Sequence, residues 1–144
     1  FSVQYVSIDE FIDSIMVRGQ GTLMAKFVVK QRIIIIAVHL DDRYLLVTKW
    51  KGADYADNSL PFGLHSMPFI FTSVADMVEW TLTHNHGVEF LCHYLDDFSY
   101  WDPPASDVCL TNLALFLQLC FNLPLPLHPD KLEGLTMSLT IFGD

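Results

Sequence analysis

The chain has 144 residues, 51% of them hydrophobic and 17% charged, with 8 Lys and Arg against 17 Asp and Glu and a formal net charge of −9. That length suits one domain with a single core, and so apolar a composition excludes intrinsic disorder. The acidic balance argues against unaided grip on a nucleic-acid backbone, which runs on Lys and Arg, but not against acidic residues that hold metal ions.

Ser7 followed by Glu10 predicts a capping box, and Ile8, Phe11, Ile12, Ile15 and Met16 then share one helical face until Gly19 supplies a stop. Residues 23–29 predict a buried strand, and the apolar run 33–38 continues it in a form that fits strand or helix. Asp41, Asp42 and Arg43 make a polar break of the kind turns use. Segments 44–50 and 55–60 flank Lys51, Gly52, Ala53 and Asp54, which predicts a β-hairpin with a four-residue connection. Pro61, Gly63 and Pro68 punctuate a loop. From about Phe69, the residues Ile70, Val74, Met77, Val78, Thr81 and Leu82 predict a helix that ends near Gly87.

Two apolar, aromatic runs, 88–94 and 98–101, are separated by Leu95, Asp96 and Asp97, which predicts a tight hairpin with acids at its turn. Pro103 and Pro104 close it. Ser106 can cap a helix that carries Leu110, Leu113, Ala114, Leu117, Cys120 and Phe121, and Pro124 and Pro126 stop it. A last strand is expected over 135–142. The alternation predicts an α+β fold with a mostly antiparallel sheet and its helices packed on one face. No internal repeat or low-complexity segment is present in the sequence.

Cys92, Cys109 and Cys120 are an odd number without C-x-x-C spacing, which fits reduced thiols in an intracellular protein of cytoplasm or nucleus. No membrane segment is expected, because 33–38 is too short and 110–127 is interrupted by Thr111, Asn112, Gln118, Asn122 and two prolines. The first residues lack the pattern of a signal peptide. A chain that starts at Phe1 and stops at Asp144 after a strand-like run reads as a piece of something longer, with part of its apolar surface meant for a partner or neighbouring domain.

The chemistry concentrates at Tyr94-Leu95-Asp96-Asp97. Adjacent carboxylates at a tight turn repel each other, and a divalent cation offsets that repulsion. Mg2+ takes hard oxygen ligands, and a pair of such ions clamping attacking and leaving oxygens drives nucleotidyl transfer. Taken alone, the pair also fits a solvated turn, where Asp is favoured. The other candidates are weaker. His39, His65, His84, His86, His93 and His128 show no metal-ligand spacing, and His84-Asn85-His86 fits a solvated helix end better than zinc. Gly19 and Gly21 lack the pattern of a phosphate loop. Trp50, Trp80 and Trp101 suit base stacking, although core positions are the commoner use. No Ser/His/Asp or Cys/His set points to acyl transfer.

Context favours the metal reading. Leu60-Pro61-Phe62-Gly63-Leu64, then Ser66 and Pro68, then a helix, then Tyr94-Leu95-Asp96-Asp97-Phe98 resembles the reverse transcriptases of retroelements. The form with Ser66-Met67-Pro68 and Val74-Ala75-Asp76 is most similar to tyrosine-recombinase (DIRS-type) retrotransposons, with long-terminal-repeat elements next. The resemblance covers about residues 5–143 and implies a polymerase palm spanning 1–144, with fingers incomplete and thumb and ribonuclease H absent. It further implies Asp96 and Asp97 as Mg2+ ligands, Asp96 foremost, and Leu60, Pro61, Phe62 and Gly63 against template and incoming nucleotide. Gly63 also lets backbone approach a base pair or sugar closely. The resemblance makes Lys131, in Pro129-Asp130-Lys131, a lysine beside the triphosphate, a role that competes with that of a plain surface lysine. Template-primer and deoxynucleotide are the implied partners.

One departure outweighs the matches. Ala25-Lys26-Phe27 on one side and Val38-His39 with Asp41-Asp42-Arg43-Tyr44-Leu45-Leu46 on the other align without a gap, and the place of the family's third, metal-bridging aspartate falls on Val28. Ile33 stands where the family has an aromatic residue that screens the sugar 2′ position. An isopropyl group offers no oxygen to a metal, so an RNA-directed DNA polymerase with Val28 is expected to be inactive. The alternative is a degenerate or co-opted remnant that serves as a binding or interaction module. Asp57 is one acid that could stand in for the lost ligand.

Overall fold

The computed structural model describes residues 6–30, 36–61, 63–103 and 107–139. In chain order the elements are α1 (Ile8–Arg18), β1 (Leu23–Val28), a 3₁₀ segment (Leu40–Leu46), β2 (Val47–Trp50), β3 (Ala53–Ala56), α2 (Met67–His86), β4 (Leu91–Tyr94) and β5 (Asp97–Asp102). They are followed by α3 (Val108–Asn122), a 3₁₀ turn (Pro129–Lys131) and β6 (Glu133–Thr136). β4, β5, β1 and β6 form one sheet in that order, each pair antiparallel, and β2 with β3 forms a separate two-stranded ribbon.

Strand alternation divides the sheet into two faces. On one face Ala25, Phe27 and Val29 join Leu91, Phe98 and Tyr100 under α2 and α3. α2 contributes Phe71, Ala75, Val78 and Leu82, whose spacing follows one helical stripe, and α3 contributes Cys109, Phe116 and Cys120. Phe27 sits at the centre, its ring stacked on Phe116 at 4.3 Å and parallel to Tyr100 at 5.7 Å. The two long helices thus share one face, as the sequence predicts. α1 adds cover on the other: Phe11 meets Trp101 edge-on at 4.6 Å, with Cys92 and Met24 beside them.

α1 carries the predicted capping box, with Ser7 Oγ accepting from Glu10 N–H at 3.1 Å and Ser7 N–H donating to the Glu10 carboxylate at 3.0 Å. α2 ends on Gly87, whose φ of +69° is the left-handed turn that glycine adopts without penalty. Several boundaries differ from the sequence reading. Residues 44–46 belong to the 3₁₀ segment, where His39 Nδ1 accepts from Asp41 N–H and Asp41 and Asp42 sit at its positive end. The ribbon closes through Lys51 and Gly52 alone, both with positive φ, a two-residue turn that matches strand twist. α2 begins at Met67, and α3 follows Asp107, with Ser106 outside the described residues.

The last strand runs over Glu133–Thr136, earlier than expected, and 140–144 lie outside the described residues. Of the apolar run 33–38 only 36–38 are described, as a loop with a single bridge between Ala37 and Ser59. Trp101 is core, whereas Trp50 and Trp80 are 64% and 54% exposed. Among the described residues no helix is long and apolar enough to cross a membrane.

Candidate active site

The β4–β5 hairpin turns on Leu95 and Asp96, so Tyr94 faces Asp97 directly and Asp97 is the first residue of β5. Leu95 has φ of +52°, a left-handed conformation that costs a side-chain-bearing residue about 1–2 kcal/mol and that recurs at functional turns. The ladder continues past the turn, since Val29 N–H donates to the Asp96 carbonyl at 2.9 Å. Across it, Val28 pairs with Asp97 and Lys26 with Ser99. Cross-strand partners share a face, so Lys26, Val28, Tyr94 and Asp97 lie together on the face opposite α2 and α3.

The far side of Val28 is bordered by the segment after α3. Val29 bridges Leu127, and His128 N–H donates to the Val28 carbonyl at 2.8 Å, which sets His128 beside Val28 on the same face. His128 Nδ1 is buried without a hydrogen-bond partner. The 3₁₀ turn follows at once, with Lys131 N–H donating to the His128 carbonyl at 3.1 Å and its side chain exposed. The fold therefore gathers Asp96, Asp97, Val28 and the turn bearing Lys131 around the C-terminal end of β1.

Of the remaining predicted residues, Leu60 is buried, its N–H donating to the Ile36 carbonyl, and Pro61 is half-buried. Gly63 is exposed with φ of +84°, and a Cβ there would meet nothing, so the backbone is bare on that side. Phe62 and Ile33 lie outside the described residues. This loop leads into α2, which packs on β4 through His93: its Nδ1 is 2.7 Å from Glu79 and its Nε2 3.3 Å from Asp76.

Two Mg2+ ions need a carboxylate shared between them, and the position facing Asp97 is an isopropyl group. Lys26 Nζ, itself a cation, stands 3.8 Å from Asp97 Oδ2. Among the described residues no three His, Cys, Asp or Glu side chains converge where they could hold a metal ion, and Asp57 stays exposed at the end of the ribbon. The described residues do not fit a two-ion centre. Lys26, Leu95 and His128 escaped the sequence reading; alternation from Val28 was the signal that could have found Lys26. A cavity of about 290 Å3 lined by Arg18, Phe90, Asp102 and Asn112 opens at the opposite end of β5 and takes no part in this site.

No protein-family model matches the chain, and no curated protein matches it in sequence. Solved structures do, and they define the class: the fold is reverse-transcriptase-like. The foamy viral protease-reverse transcriptase in complex with double-stranded DNA superposes with a TM-score of 0.72 at 17% identity, over 84% of this chain and 24% of that one. The prototype foamy virus protease-reverse transcriptase CSH mutant gives 0.65 at 18% identity over 78% and 14%. The foamy viral enzyme in complex with an RNA/DNA hybrid gives 0.57 at 15% over 80% and 14%. The chain thus spans a quarter or less of the length of these proteins.

Proposed function

We propose that the chain is the palm of a retroelement RNA-directed DNA polymerase whose nucleotidyl transfer is disabled at Val28. The motif form Ser66-Met67-Pro68 with Tyr94-Leu95-Asp96-Asp97 favours a DIRS-type or long-terminal-repeat element as the source. Fingers and thumb of the parent protein, a template-primer and a deoxynucleotide are the partners of the ancestral site, in cytoplasm or nucleus, with Leu60 to Gly63 against template and nucleotide and Lys131 near the triphosphate. Mg2+ at Asp96 and Asp97 would supply activation of the primer 3′-hydroxyl and charge neutralisation at the α-phosphate. The observation that carries the reading is the register that sets Val28 opposite Asp97, the place where a bridging oxygen would be required.

A second reading, a remnant retained as a non-catalytic binding module, is favoured by the same Val28 together with the Lys26–Asp97 pair. Primer extension with Mg2+ or Mn2+ on the unmodified chain and on Val28→Asp tests both. No extension by the unmodified chain and measurable extension by Val28→Asp is the expected result. Robust extension by the unmodified protein overturns the proposal, and an inert Val28→Asp leaves the binding-module reading in its place.

A further inference from the structure

We propose that the cavity at the Asp102 end of β5 binds a small planar organic cation, an amidinium or a guanidinium. The proposal stands apart from the polymerase reading, because Asp97 begins β5 and Asp102 ends it. A volume of about 290 Å3 holds far more than one water and stands at the threshold of small-ligand sites, about 300–1,000 Å3. The walls come from four parts of the chain: Arg18 ends α1, Glu89 and Phe90 precede β4, Asp102 ends β5, and Asn112 lies on α3. Asp102 and Asn112 are only 4% and 7% exposed, so these polar groups are built into the fold rather than scattered over its surface.

The chemistry of the lining selects the ligand. Asn112 Nδ2 donates to Asp102 Oδ2 at 3.0 Å, and no described residue donates to Asp102 Oδ1. A buried carboxylate oxygen without a donor is costly, so this atom is the acceptor left for a ligand. Arg18 does not supply the donor: its Cζ lies 3.4 Å over the centroid of the Phe90 ring, and it makes no hydrogen bond or ion pair with Asp102. Burial raises the pKa of Asp102, the Asn112 hydrogen bond and the Arg18 charge oppose that rise, and the Glu89 charge adds to it. A cation beside Asp102 offsets the desolvation, whereas an anion would meet both Glu89 and Asp102. Among the described residues no three metal-ligating side chains converge, which disfavours a metal ion here. Asn112 Oδ1, on the amide that already holds Asp102, is a second acceptor, so two N–H groups on one planar cation suit the pair.

Three probes of one shape and different charge test this at neutral pH: benzamidinium, neutral benzamide and anionic benzoate, each titrated into the chain while amide resonances are followed by NMR. Benzamidinium should bind at least about tenfold more tightly than benzamide, the size of effect expected of charge-assisted hydrogen bonds, and benzoate should not bind. The shifted resonances should centre on Glu89, Phe90, Asp102 and the Asn112 side-chain amide. Asp102→Asn, which keeps the shape and removes the charge, should weaken benzamidinium about tenfold and leave benzamide unchanged. Equal affinity for benzamidinium and benzamide, shifts that fall elsewhere on the chain, or a cation preference that survives Asp102→Asn overturns the proposal. Should Asp102→Asn not fold, the charge series and the location of the shifts on the unmodified chain decide by themselves. The titration needs no polymerase activity, so its failure leaves the proposed function standing, whereas extension by the unmodified chain strikes that reading alone.

Discussion

Asp102 is buried at the end of β5 remote from Asp97, and Asn112 of α3 donates to its Oδ2 at 3.0 Å. Burial raises its pKa above the ordinary carboxylate value, and the Asn112 hydrogen bond and the Arg18 charge oppose that rise without cancelling it. An acid whose pKa is raised in the folded state holds its proton there more firmly than in the unfolded chain. Its contribution to stability is therefore complete below the unfolded value of 3.8 and is lost as the pH climbs through the raised folded one. Asp102→Asn keeps an oxygen for Asn112 and removes the titration. Thermal unfolding across the acidic range should show its melting temperature gaining on that of the unmodified protein as the pH rises; a gap that stays constant would contradict this. The buried thiols obey the same physics: desolvation, with Glu79 nearby, pushes Cys92 up to about 12, and burial does the same to Cys120, so neither is a nucleophile near neutral pH.

At the scale of elements, α2 is tied to β4 by His93, buried between Asp76 and Glu79 of the helix. Replacing it with an apolar residue leaves both carboxylates without that partner. His93→Leu should cost about 1–3 kcal/mol in urea unfolding with little change in slope. The helices were largely legible in the sequence, because a capping box and a terminal glycine are local signals that packing does not override. Both hairpins were legible too, but the lengths of their turns were not, and the reason is specific. Lys51 and Leu95 take left-handed conformations that neither residue type announces, so each turn is shorter than its polar residues suggest. For the acid pair this matters: a turn through residues 95–97 would set Tyr94 opposite Phe98, whereas the turn through Leu95 and Asp96 sets it opposite Asp97. A one-residue change in register exchanges the two faces. The adjacent acids and the valine at position 28 were readable from the chain alone, while the meeting of Lys26 with Asp97 required the register.

For the whole molecule, charge and burial are unevenly spread. The four-stranded sheet is covered on one face by two long helices and in part on the other by α1, while every residue of the β2–β3 ribbon is exposed, including Trp50 and Tyr55. A two-stranded ribbon without a packed face is marginally stable by itself. Exposed aromatic and aliphatic groups there accompany a sequence that is 51% hydrophobic. No side chain between residues 40 and 58 is buried, although Lys49 and Lys51 lie in the middle of that stretch. Severing the backbone there should separate the halves only under denaturing conditions. Brief trypsin treatment is expected to give two bands on a denaturing gel and one undivided peak on a sizing column, with the sheet continuing to hold together a chain that is no longer continuous.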